Sequence, residues 1–171
     1  EAGGGAGKLV RAKNWTRTQR VALIGPDLST AAEFGMFSQA ACRLAQRLLP
    51  GPYTLVVPAT RAVPRTLTDH KRRTVGIRIT SHPIAQALAQ GLGRPLLTSS
   101  AIDPDTHEPC RDADEVFAAF EKFVDVVIDA EQTPVEPSTV REVGGETVRL
   151  IRPGHGPRTG TPHLQEHEAP R

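Results

Sequence analysis

Apolar positions along this chain switch between two periods. Residues 21–24 form a short apolar run closed by Gly25-Pro26-Asp27, the pattern of a strand with a turn behind it. Phe37, Ala41, Leu44, Ala45 and Leu48 then recur at helical spacing, and Pro50-Gly51-Pro52 stops that helix. Residues 53–57 read as a strand and 64–67 as one short helical turn. From 74 to 79 the alternation is strict: Val75, Ile77 and Ile79 share one face, and Thr74, Gly76 and Arg78 share the other. Pro83 opens a helix at the position it tolerates best. Ile84, Leu88 and Leu92 line one side of that helix, and Gly91 and Gly93 close it.

The next segment, "GRPLLTSSAIDP" (93–104), predicts a strand that ends on three hydroxyls, Thr98, Ser99 and Ser100. Asp112 with Glu115 forms a capping box for a helix carrying Val116, Phe117 and Phe120. Residues 124–128 read as a strand. Residues 139–143 and 147–151, joined through Gly144-Gly145, read as a hairpin. The glycine-rich residues 1–12 are expected to be a flexible lead-in, and the proline- and glycine-rich residues 155–171 a disordered tail. Between them, 13–154 predicts one α/β domain, a twisted mixed sheet with helices packed on it.

Bulk composition narrows the chemistry. With 171 residues, one domain with a real core is expected. Only 4% of residues are aromatic, which argues against a stacking platform for single strands. The charge is +2, from 21 basic and 19 acidic residues, so a basic footprint must come from clustering such as "HKRR" at 70–73. Two widely separated cysteines, Cys42 and Cys110, point to a reducing compartment. No apolar run is long enough to span a bilayer, so no membrane is expected and the chain reads as cytoplasmic.

Several chemical signals fail on physical grounds. "EAGGGAGK" lacks the first glycine and the final hydroxyl of a phosphate loop. "HLQEH" at 163–167 matches a zinc spelling but has no helix face to dock. His107 with Cys110 is half a metal site without a second half, and no nucleophile turn surrounds Ser99 and Ser100. What remains is a set of hydroxyls and arginines at strand ends. Thr74 and Arg78 flank Gly76, and Ser138 and Arg152 stand at the ends of the hairpin strands. Hydroxyls with fixed guanidinium groups beside a glycine gap suit a phosphate or carboxylate ligand.

The segments "LLPGPYTLVVPAT", "RRTVGIRITSHPIAQAL", "GRPLLTSSA", "PSTV" and "LIRPG" stand in the order and spacing of the YrdC-like family, which the chain resembles over residues 13–154. "KRRTVGIR" with "HPIAQAL" is most similar to its YciO-like branch. The resemblance implies a twisted α/β sheet around a concave basic cavity. It also implies the activity of L-threonylcarbamoyladenylate synthases: ATP, L-threonine and bicarbonate give threonylcarbamoyl-AMP and pyrophosphate, for tRNA modification at adenosine 37. Mg²⁺ would accompany the triphosphate. An active chain would be a nucleotidyltransferase.

By position the resemblance assigns Lys13, Thr74, Ser138 and Arg152 to the nucleotide, and Arg78 and Ser100 to the threonine side. Four departures accompany it. The asparagine of the family's Ser-x-Asn is Ile102, its Lys-x-Arg reads Lys13-Asn14-Trp15, its Lys-Pro-Leu reads Gln19-Arg20-Val21, and its upstream Tyr-Pro-Thr-Asp-Thr-like strand has no counterpart before Lys13. The expectation is therefore a nucleotide-binding domain of this family, weakly active or inactive. The alternative is a non-catalytic module for double-stranded RNA or tRNA.

Overall fold

The computed structural model describes residue 9 and residues 21–68, 72–130, 136–157 and 166–168. The chain divides into two compact units: Arg20–Thr98 with Pro137–Arg171, and Glu1–Gln19 with Ser99–Glu136.

The larger unit is organised by one mixed sheet. Strands β1 (Ala22–Ile24), β2 (Tyr53–Pro58), β3 (Thr74–Arg78), β4 (Leu96–Thr98), β5 (Thr139–Gly144), β6 (Thr147–Arg152) and β7 (Glu166–Glu168) lie in the order β4-β1-β3-β2-β5-β6-β7. β1 runs parallel to β3, and β2 parallel to β5. The pairs β1–β4, β2–β3 and β5–β6 are antiparallel. The α/β class and the hairpin read from the sequence are both present. Gly145, at φ +62°, makes the hairpin turn, a left-handed backbone that glycine adopts without a Cβ penalty.

Alternation sorts the strands into two faces. Leu55, Val57, Val75, Ile77, Val143 and Val148 point into one core with Ala41, Leu44 and Ala45 of helix α2 (Gln39–Leu48). Leu55, Ile77 and Leu44 are essentially fully buried, each contributing about 1.5–3 kcal/mol of transfer free energy. The short helix α1 (Leu28–Ala32) is capped by Asp27, whose carboxylate accepts the Thr30 N–H at 2.7 Å. That hydrogen bond holds the Asp27 carboxyl below its ordinary value. Helix α3 (Pro83–Leu92) begins at Pro83 and ends on Gly93 at φ +61°. Its Gln86 Nε2 donates to Pro26 O at 2.5 Å, tying it to the turn after β1. The stripe expected on α3 is not its packing face: Leu88 and Leu92 are exposed, and the small Ala89 is buried instead.

Two further expectations change. Residues 155–157, assigned to a disordered tail, are hydrogen-bonded to the larger unit, and Glu166–Glu168 pair with β6 in parallel as β7. Backbone hydrogen bonding, invisible to composition, carries this segment.

In the smaller unit, helix α4 (Ala113–Phe120) follows the predicted cap. The Asp112 carboxylate accepts the Glu115 N–H at 2.9 Å, and the Glu115 carboxylate accepts the Arg111 N–H at 2.7 Å. Residues 124–128 form no strand. Val124, Val126 and Ile128 are exposed, and among the described residues of this unit no strand runs beside them. A short apolar run becomes a strand only where a neighbour completes the ladder. Among the described residues no helix is long and apolar enough to cross a membrane.

Candidate functional site

The face of the larger sheet opposite the core is assembled by register. Gly76 of β3 is paired with Val56 of β2 and with Ala22 of β1, and Thr74 with Pro58. Val56 in turn is paired with Glu142 of β5, and Glu142 with Arg149 of β6. A break in register at Val140/Arg141 then pairs Arg152 with Val140. Thr54, Thr74, Gly76, Arg78, Glu142, Arg149 and Arg152 therefore share one face through the two-residue period of strands.

Hydroxyl groups on this face are tied to one another. Thr54 Oγ1 and Ser138 Oγ share a hydrogen bond of 2.8 Å, linking β2 to the residue that enters β5. Arg152 Nη2 donates to the Ser138 carbonyl at 3.0 Å, which sets the guanidinium beside that hydroxyl. Gly76 stands between Thr74 and Arg78. A Cβ there would lie 3.1 Å from Val21 O and 3.2 Å from Thr54 Cγ2, so the space beside Gly76 is taken up by β1 and Thr54, and the open gap for a ligand expected from the sequence is not present there. Thr74 also lines a groove of about 290 Å³ with Pro58, Glu142, Val148 and Arg149.

Charge on this face is unevenly matched. Burial pulls the Arg78 guanidinium below its ordinary value, and the positive charge of Arg152 pulls it further. Burial lowers Arg152 as well. Arg78 Nε is buried and finds no hydrogen-bond acceptor among the described residues. Unpaired buried donors and facing cations both favour an incoming anion. Glu142, the carboxylate among the strand positions of this face, is engaged elsewhere. It accepts from Arg149 Nε at 3.1 Å, from Arg149 Nη2, and from Arg72 Nη1 at 3.2 Å. Burial would raise the Glu142 carboxyl, but these hydrogen bonds and charges outweigh it and hold it below its ordinary value.

Of the six residues singled out from sequence, Thr74, Arg78, Ser138 and Arg152 belong to the larger unit and to this face. Ser100 belongs to the smaller unit, where its carbonyl accepts the Ile102 N–H at 3.0 Å. Lys13 lies outside the described residues, as do His70 and Lys71 of the basic run and 163–165 of the zinc spelling. Of the three hydroxyls ending β4, Thr98 donates to Ala22 O at 3.0 Å and so serves the sheet edge. Sequence reading missed Thr54. Its place on this face follows from the β2–β3 register, which puts Val56, of the same parity, opposite Gly76.

The larger unit is an α/β domain whose sheet carries the Thr54 and Ser138 hydroxyls and the Arg78 and Arg152 guanidinium groups on one face. The chain belongs to the Sua5/YciO/YrdC family, described as "Telomere recombination", whose model matches residues 5–154. It is 36% identical over 130 residues to the uncharacterized protein YciO of Escherichia coli (strain K12), covering 76% of this chain and 63% of that protein's length. The crystal structure of E. coli YciO superposes with a TM-score of 0.81 at 32% identity, covering 88% of this chain and 73% of that one. A threonylcarbamoyl-AMP synthase of Shigella boydii serotype 4 (strain Sb227) is 39% identical over 101 residues, 58% of this chain and 52% of that enzyme. The crystal structure of P. abyssi Sua5 complexed with L-threonine gives a TM-score of 0.79 at 27% identity, covering 86% of this chain and 44% of that one.

Proposed function

We propose that this chain binds ATP on the Thr74–Gly76–Arg78 face as a domain of the threonylcarbamoyl-AMP synthase type. Thr74, Ser138 and Arg152 would hold the nucleotide and Arg78 the threonine carboxylate. The observation that carries the reading is that Arg78 and Arg152 stand on one sheet face, with the buried Nε of Arg78 left without an acceptor among the described residues. A ligand with both a phosphate and a carboxylate would satisfy both.

In the synthase reaction, threonine and bicarbonate give a carbamate that attacks the α-phosphate of ATP, and pyrophosphate leaves. This chain's residues would contribute position and charge neutralisation, with no covalent step of their own. Because Glu142 is engaged by Arg149 and Arg72, Mg²⁺ would enter as the counter-ion of the triphosphate, bound by phosphate oxygens. Ile102, in place of an amide, removes one hydrogen bond from the nucleotide side and favours binding with slow or absent turnover. The family relation also favours the cytoplasm as the working compartment.

Calorimetry with ATP tests this directly. Wild type should give binding heat, and Arg152→Ala should lose at least about tenfold in affinity, the effect of one charge-assisted contact. Absence of heat with wild type overturns the reading. A duplex RNA titration at two salt concentrations addresses the RNA module: tight binding that falls steeply with salt, with no ATP heat, would replace it.

A further inference from the structure

After β6 the chain turns back beneath the entrance of β5. There the His155 N–H donates to Pro137 O at 2.9 Å, and Thr139 Oγ1 donates to Gly156 O at 2.6 Å. Tyr53 Oη and Arg141 Nη2 both donate to Pro157 O at 3.3 Å. Thr139, Arg141 and Tyr53 are buried on the core side of the sheet, the face opposite Thr54 and Arg152. The Arg141 guanidinium stacks 5.8 Å from the Tyr53 ring centroid, an arrangement that holds a cation in low dielectric.

Two glycines let this strap lie so close. A Cβ on Gly156 would come within 2.9 Å of three Tyr53 ring carbons. A Cβ on Gly154 would lie 2.7 Å from Ser138 C and 2.8 Å from Ser138 O. That carbonyl is the one holding Arg152 Nη2. The strap is therefore packed directly on the Pro137–Ser138 backbone, whose Ser138 carbonyl holds Arg152 and whose Ser138 hydroxyl meets Thr54.

We infer that Arg141, Tyr53 and the strap at 154–157 are positioning elements that set the Ser138 hydroxyl and the Arg152 guanidinium for an anionic ligand. The ligand's identity as a nucleotide rests on the function proposed above; the mechanical coupling does not. Loosening the strap frees the Ser138 carbonyl, and the Arg152 guanidinium loses its fixed direction while keeping its charge.

The test is nitrogen-15 NMR of arginine guanidinium signals on the full chain, with Arg152 assigned through Arg152→Lys, followed by ATP calorimetry. In Gly156→Ala the Arg152 guanidinium and Ser138 amide signals should shift, core amides of α2 should not, and ATP affinity should fall about tenfold. Tyr53→Phe removes one hydroxyl contact to Pro157 O without leaving a cavity. It should shift the same signals less, and it serves if Gly156→Ala does not fold. Arg141→Lys should retain more of the wild-type spectrum than Arg141→Met. Unchanged Arg152 and Ser138 signals in the folded variants overturn the inference whether or not ATP binds. Shifted signals in a protein that gives no ATP heat uphold the coupling and overturn the nucleotide reading alone.

Discussion

Arg78 and Arg152, carried by β3 and β6, share one face of the sheet closely enough that the charge of Arg152 depresses the basicity of Arg78. Like charges held together cost stability and persist where a ligand repays that cost. Arg152→Met should therefore leave the melting temperature unchanged or slightly raised while abolishing the stabilisation that ATP confers on wild type. Thermal melts with and without millimolar ATP check this. At a ligand concentration of about 100 times Kd, wild type should gain about 2.7 kcal/mol. A variant that melts much earlier, with its ATP response intact, would make Arg152 a structural residue.

Gly76, between Thr74 and Arg78 on β3, is packed against β1 and Thr54. In Gly76→Ala the new methyl meets Val21 O, a backbone atom with little freedom to move, and the Thr54 methyl. The variant should lose about 1–3 kcal/mol, the range for an overpacked site. It should also weaken anion binding, because the Thr54–Ser138 pair is pushed aside. Urea unfolding and ATP calorimetry measure the two effects separately. A variant as stable as wild type would mean that β1 and β2 yield more easily than their pairing implies.

Glu142 makes stability depend on pH in a defined direction. Its carboxyl lies below the ordinary glutamate value in the folded chain, because the hydrogen bonds and charges of Arg149 and Arg72 outweigh burial. The contribution is therefore fully present above the ordinary glutamate value and is lost as the pH falls through the depressed folded one. Glu142→Gln should lower stability at pH 7 by about 0.5–1 kcal/mol, since Arg72 is largely exposed and solvent screens its share. Melts of the variant and wild type should converge as the pH falls below the depressed Glu142 value. Divergence that persists there would assign the loss to packing.

Much of the larger unit was legible because its strands obey a single period. The 74–79 alternation correctly sent Val75 and Ile77 to the core and Thr74 and Arg78 to the other face, and Gly144-Gly145 marked the hairpin. Residues 124–128 show where pattern stops being sufficient: Val-Asp-Val-Val-Ile is a short apolar run, yet a ladder needs a neighbour that local sequence does not name. The strap was illegible for a related reason. Its binding is by backbone groups and by glycines that permit contact, so composition marked the segment as a tail. Thr54 was missed because its partner, Ser138, lies 84 residues away.

That long-range pair allows a sharper measurement. Thr54 is buried, and its hydroxyl meets Ser138 Oγ at 2.8 Å. Thr54→Val keeps the shape but leaves the Ser138 hydroxyl without this partner, and Ser138→Ala leaves Thr54 in the same position. Each single variant should lose about 1 kcal/mol, the net worth of one hydrogen bond. The double variant should lose less than the sum, with a coupling of about 0.5–1 kcal/mol, as contacting residues do. In ATP calorimetry Ser138→Ala should cost affinity directly, and Thr54→Val less, through the orientation of Ser138. Additive stability losses would mean that the two hydroxyls do not bond in solution, and equal ATP losses would make Thr54 a direct ligand group.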